Sequence, residues 1–265
     1  MIVTGVQLVQ QIENYAPLKL KMEHDPTGLQ LGNLHQPVQR VLTTLDVRPE
    51  VVQEAIEQKV DFIFAHHPVM FHPAHNLDTS IPQNKMYADL LSHQITVYAA
   101  HTNMDKTQPG MNDWLAQALK LQNIQSFGAD QDGVALGRWG TLSQPQTVLQ
   151  LAQYIKQTWA LSGLRIIANN IQTQVQKVGI IGGDGGKFYP QAQANNLDVL
   201  ITGDVYYHTA HDMLAAGLNV IDPGHHIEAV FIEQTKILLE QWSQKYHWQL
   251  TILASKTNTE PFKFI

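Results

Sequence analysis

The chain has 265 residues, of which 44% are hydrophobic, and a formal net charge of −6. That is enough for one large domain or two smaller ones with a substantial core. No run of Lys or Arg is present, which argues against an extensive basic face for nucleic acid. Cysteine is absent, so disulfides, thiolate metal sites and thiol nucleophiles are excluded, and 13 histidines with the carboxylates remain as metal ligands.

The amino-terminal "MIVTGVQLVQQIENYAP" has no basic start followed by an apolar core, and its Thr4 to Gln7 spacing predicts a helix capping box. No apolar run approaches the roughly 18 residues of a membrane span, so a cytoplasmic protein without a membrane partner is expected. The segment 40–68, "RVLTTLDVRPEVVQEAIEQKVDFIFAHHP", predicts strand, helix, strand. A helix ("NKMYADLLSHQ") and a third strand ("ITVYAAHTNMD") follow, with the loop "HPAHNLDTSIPQ" ahead of the helix. Next come a turn and strand ("GVALGRWGTL"), a helix with a Pro near its first turn ("QPQTVLQLAQYIKQTWA") and a strand ("LRIIA"). The segment 177–205, "KVGIIGGDGGKFYPQAQANNLDVLITGDV", then repeats 40–68 without a gap, Val41 against Val178, Ala55 against Ala192 and Asp61 against Asp198. It too continues with a helix ("HTAHDMLAAG") and a third strand ("LNVIDPGHHIE"). A helix with Val230, Ile237, Leu238 and Trp242 along one face and a strand, "WQLTILA", close the chain.

The expected fold is therefore α/β: two similar β-α-β-α-β lobes with mainly parallel sheets, closely joined. The lobes are placed at 1–126 and 127–265, with 225–265 returning to the first lobe's site. In such sheets ligands gather beyond the carboxyl ends of the strands. There the sequence puts His66 and His67, then His101 and Asp105, and in the second copy His225, His226 and Glu228. Imidazoles and carboxylates converging from three strand ends fit a pair of divalent ions, zinc first, with iron and manganese as the other metals such ligands accept. Asp105 can bridge two ions through its two oxygens. If Glu228 opens a helix, His225 three residues earlier faces the same way; His226 fits that turn less well.

Each motif also has a structural reading. His66 and His67 alone make an ordinary loop pair, Asp105 a cap for a helix near Gly110, and Glu228 a first-turn acid. "IIGGDGGKF" lacks the Lys-Ser/Thr of a P-loop and reads as a tight turn. Asp204 and His208 form either a satellite polar pocket or a cap for the following helix, the cap being preferred. His72 and His75 are placed in a surface loop that could border an entrance, and His24, His35, His93 and His247 at the surface or in satisfied positions.

With "HDPTGLQLG", "HHP", "HTNMD", "LGRWGTL", "ITGDVYYH" and "DPGHHIE" in this order, the chain resembles, nearly end to end, the GTP cyclohydrolase 1 type 2 homologues. These are dinuclear-metal proteins related to the NGG-interacting-factor-three-like group. The resemblance implies a short form without the inserted domain of longer relatives and a toroidal homohexamer. It carries His66, His67, Asp105, His225 and Glu228 over as metal ligands, with His101 and the Asp25–Gly28 turn close by. Some members space the last His and Glu by four residues, which keeps both His225 and His226 in view. The implied activity is hydrolytic opening of the guanine ring of GTP, formate leaving and His101 acting as general acid or base. Metal-dependent phosphodiester or phosphomonoester hydrolysis of a small anionic substrate, and a metal-binding or partner-binding ring without turnover, are the alternative readings.

Overall fold

The computed structural model describes all 265 residues. They form two compact units, Met1–Thr107 with Ala229–Thr259, and Gln108–Glu228 with Glu260–Ile265.

In the first unit, Arg40–Thr44, Phe62–Ala65 and Thr96–Ala99 pair in parallel in that order. Thr251–Ala254 adds a parallel strand beside Arg40–Thr44, and Gly28–Leu31 an antiparallel one beside Thr96–Ala99. Phe62, Ile63, Phe64 and Ala65 are all fully buried. A strand covered on both faces needs an unbroken apolar run, and this one has it. The helix Pro49–Glu57 contributes Val51, Val52 and Ala55 to one core and Pro82–Ser92 contributes Met86, Tyr87 and Leu90. Phe231 meets the Phe64 ring edge-on at 5.2 Å. The expected capping box is present: Thr4 Oγ1 accepts from Gln7 N–H, and Thr4 N–H donates to the Gln7 side chain.

The second unit has a six-stranded sheet. Gln174–Ile180, Val199–Ile201 and Asn219–Asp222 are parallel at its centre. Ala135–Thr147 and then Gln122–Ala129 extend it antiparallel on one side, and Arg165–Ile167 on the other. Phe127, Ile181, Phe188, Leu200, Met213 and Val220 belong to its core. Arg138, 1% exposed, is admitted to this interior because Asp113 receives its Nε and Nη2 at 2.8 Å each.

The repeat seen in the sequence has a shared physical device. Asp61 Oδ2 accepts the backbone N–H groups of Gln39 and Arg40 at 2.8 Å each. Asp198 Oδ2 accepts those of Gln176 and Lys177 at 2.8 and 2.7 Å. Each aspartate immediately precedes the second strand of its copy and clamps the first, at its start in the first copy and at the pairing irregularity near Gln176 in the second.

Two local expectations are corrected. Pro145 does not lie in a helix's first turn. The helix begins at Val148, capped by Thr147, and Pro145 falls within the strand Ala135–Thr147 near an irregularity in its pairing, where no ladder N–H is missed. In the helix Val230–Lys245 the buried stripe is Phe231, Thr235, Leu239 and Trp242, whereas Val230 and Leu238 are half-buried and Ile237 is exposed. Thr235 can join that stripe because its hydroxyl donates back to the Phe231 carbonyl at 2.6 Å.

Candidate metal centre

His66 and His67 directly follow the strand Phe62–Ala65, and their N–H groups continue the ladder onto Thr44 and Leu45 carbonyls at 3.1 and 2.9 Å. The backbone is thus held as firmly as the sheet itself. His66 is fully buried, with Nδ1 2.9 Å from the Ala100 carbonyl oxygen. That oxygen only accepts, so Nδ1 carries a proton, and the neutral ring is held in the tautomer whose lone pair is on Nε2. Nε2 stands 3.5 Å from Asp105 Oδ1. His67 turns the other way and sets Nδ1 2.6 Å from Asp46 Oδ1. Asp46 Oδ2 in turn accepts the Thr259 hydroxyl.

His101 repeats the pattern with Nδ1 3.0 Å from Asp25 Oδ1. Burial opposes ionisation of Asp25, but hydrogen bonds and charge from His101, with further bonds from Thr102 and Thr27, outweigh it and hold the carboxyl well below the usual range. Asp25 is therefore a fixed carboxylate behind the ring. Candidate ligand nitrogens of His66, His67 and His101 all lie within 4.8 Å of one another. Asp105 occupies the short helix Thr102–Lys106 and does not cap the helix after Gly110; Asp113 accepts the Gly110 N–H at 2.9 Å instead.

In the second unit His225 and Glu228 share the 3-10 helix His225–Ala229. Residues three apart eclipse one another in such a helix, and His225 Nε2 lies 3.1 Å from Glu228 Oε2. His225 Nδ1 lies 2.7 Å from Asp204 Oδ2. Burial lowers the basicity of His225, but bonds and charge from Glu228 and Asp204 prevail and raise its pKa to about 10. Asp204 therefore serves His225 and caps nothing: the next helix, Tyr207–Ala215, has Tyr206 at its N-cap with no side-chain cap. The first two glycines of the glycine-rich turn are explained by the same acid. A Cβ on Gly182 would come within 2.7 Å of Glu228 Oε1, and one on Gly183, at φ +61, within 3.1 Å. These two positions are bare to make room for Glu228, while Gly185 is held bare by Ile181 and Thr202.

His72 lines a recess beside His67, while His24, His35, His75, His93, His208 and His247 are exposed. Asp46 is the residue that sequence reasoning missed. Its only signal was position, at the end of the strand neighbouring the one that delivers His67.

Four imidazoles thus share one kind of support. Nδ1 is engaged by a carboxylate or carbonyl in each, which is the support a metal-bound histidine requires, and Nε2 of His66 and of His225 faces a carboxylate, Asp105 at 3.5 Å and Glu228 at 3.1 Å. The donor set fits a divalent metal, and His66, His67 and His101 are a group that could hold one.

Known proteins carry the same architecture. The chain is 43% identical over 265 residues, 98% of each chain, to the GTP cyclohydrolase 1 type 2 homolog of Streptococcus pneumoniae serotype 4. It is 33% identical to the like-named protein of Listeria innocua over 371 aligned positions, 99% of each. That alignment is longer than this chain, so the Listeria protein carries residues absent here, as expected for a short form. The Bacillus cereus protein related to NIF3 superposes with a TM-score of 0.94 at 29% identity, covering 100% of this chain and 99% of that one. No helix is long and apolar enough to cross a membrane. Residues 3–261 match the Duf34/NIF3 (NGG1p interacting factor 3) family as a whole, and the chain belongs to that family.

Proposed function

We propose that the protein is a dinuclear metal-dependent hydrolase that opens the guanine ring of GTP. His66, His67, Asp105, His225 and Glu228 would hold two divalent ions, zinc first. The observation that carries this reading is the set of histidines, His66, His67 and His225, whose Nδ1 atoms are anchored by a carbonyl or carboxylate, with a further carboxylate at Nε2 in two of them, Asp105 beside His66 and Glu228 beside His225. The names of the Streptococcus and Listeria relatives support the choice of GTP. When bound, a metal pair supplies a water-derived nucleophile near neutral pH and positive charge for an anionic substrate, which a chain of net charge −6 otherwise repels.

The remaining work falls to side chains. The Ala100 carbonyl, Asp46 and Asp204 fix the tautomer and plane of the ligand rings. Asp105 offers two oxygens and so can serve both ions. His101, backed by the Asp25 carboxylate, is the proton carrier. Its Nε2 relays the proton of the attacking water to the leaving nitrogen in two successive steps of one water each, the first breaking one C8–N bond and opening the five-membered ring to a formamide, the second breaking the other and releasing formate. The assembly belonging to this reading is a homohexamer in the cytoplasm.

The test is metal content of the untagged protein by elemental mass spectrometry together with formate release from GTP. About two equivalents per chain with stoichiometric formate is the expected result. Phosphate release without formate would replace the substrate, and no metal after reconstitution would remove the hydrolase reading. His101→Ala should keep its metal and lose turnover; loss of a metal equivalent in that variant reassigns His101 as a ligand. Light scattering on the same sample should give the mass of six chains.

A further inference from the structure

Within the first unit, the recess beside His67 measures about 330 Å3 and is walled in part by Asp46, Arg48, His67, Phe71, Gln83 and Tyr87. That volume lies at the lower end of the range of small-molecule sites, ~300–1,000 Å3. Gln83 is held in one orientation. Its amide nitrogen donates to the Val69 carbonyl at 3.1 Å and to Tyr87 Oη at 2.9 Å. A carbonyl oxygen only accepts, so the NH2 must face it, and the assignment of the amide is settled. Tyr87 closes the triangle by donating to the same carbonyl at 3.0 Å. Both N–H groups of Gln83 are committed, and its Oε1 is an acceptor fixed in the wall.

Two other groups complete the chemistry. Phe71 is 59% exposed, with its ring centroid 6.4 Å from that of His101. An aromatic ring left in water at the edge of a recess is a platform for a flat partner. Arg48 is an exposed cation in the same wall, and its planar guanidinium suits phosphate.

We propose that this recess is the recognition subsite of a purine nucleotide. Phe71 stacks on the base, Gln83 Oε1 accepts from an N–H on its edge, and Arg48 meets the phosphates. The proposal rests on the hydrolase reading above and adds the residues that select its substrate. His67, one of the proposed ligands, forms part of the same wall, which brings the bound base beside the donors already described.

Calorimetric titration of the full-length protein with GTP, guanosine and purine riboside triphosphate, whose base has no N–H, tests it. The wild type should bind GTP about tenfold more tightly than purine riboside triphosphate. Gln83→Leu should abolish that difference by weakening GTP alone. Phe71→Ala should weaken all three by about fivefold or more. Arg48→Ala should weaken both triphosphates, more so at low salt, and leave guanosine unchanged. Equal binding of the two triphosphates by the wild type overturns the proposal without recourse to any variant, as does an Arg48→Ala effect on guanosine equal to that on GTP. Formate is assayed on the same samples. The binding pattern without formate keeps the subsite and removes the reaction; formate release with every variant binding as the wild type keeps the reaction and removes the subsite.

Discussion

The two copies of the repeat share their framework and differ in where they put their imidazoles. In the first copy the second strand ends in His66 and His67, and the first strand's end supplies Asp46 to hold His67. In the second copy the position matching His67 is Asp204, and it holds His225, which comes from the end of the third strand. An acid has replaced the imidazole at the second strand's end, and its partner has moved from the first strand's end to the third's, while the Asp61 and Asp198 clamps have stayed. Both copies also put a carboxylate, Asp105 or Glu228, at the same offset beyond the third strand. The backbone scaffold and the donor set are therefore separable: a strand end can carry either half of a hydrogen-bonded His–Asp pair without disturbing the sheet beneath.

That comparison can be broken most severely at the proposed ligands. His67→Ala, Asp105→Ala and Glu228→Ala should each lose metal and nearly all turnover while circular dichroism stays native. Retention of both ions in any of them removes that residue from the set. The two supporting acids come next. Asp46→Asn and Asp204→Asn should each weaken metal binding by roughly 10–100-fold, measured by competition with a chelator, and an effect in only one of them would break the equivalence of the two His–Asp pairs.

The clamps sharpen the other half of the comparison. Asp61→Ala should destabilise the fold by about 2 kcal/mol, since it removes two bonds to a charged acceptor. Asp198→Ala should cost less because Asp198 is more exposed; urea unfolding measures both. The smallest effect concerns acid. Glu54 accepts from Ser255, Lys256 and Thr257, and Gln191 occupies its aligned position in the second copy. Burial opposes the charge of Glu54, but the bonds from Ser255, Lys256 and Thr257 prevail and lower its pKa from 4.5. A depressed carboxylate pKa contributes stability above the unfolded value and loses it as pH falls through the folded one. The wild type should thus lose stability below about pH 4.5 more steeply than Glu54→Gln, read as the urea midpoint against pH.

Much of this was legible in the sequence because the signals were local. Period and punctuation marked the strands and helices of the repeat, and Asp61 and Asp198 fell at matching positions. Asp105 and Glu228 ended matching segments. What was illegible depended on neighbours distant along the chain. Nothing local says that Asp46, one acid among several at strand ends, faces His67. The strand Gln122–Ala129 is largely polar and owes its form to pairing with Ala135–Thr147. Thr235 broke the apolar stripe that would have announced the buried face of its helix, and only its bond to the Phe231 carbonyl shows why it is inside.

The strand Thr251–Ala254 beside Arg40–Thr44 also bears on the chain's synthesis. The six strands of the second unit are all present once residue 222 has been made. The sheet of the first unit, whose synthesis starts earlier, stays unfinished until residue 254. On the ribosome the later sheet can close first, while Arg40–Thr44 waits as an open edge of the kind that recruits stray strands. The order in which the sheets are completed is then the reverse of the order in which they begin to be translated, and the waiting edge is the place where a chaperone has most to protect.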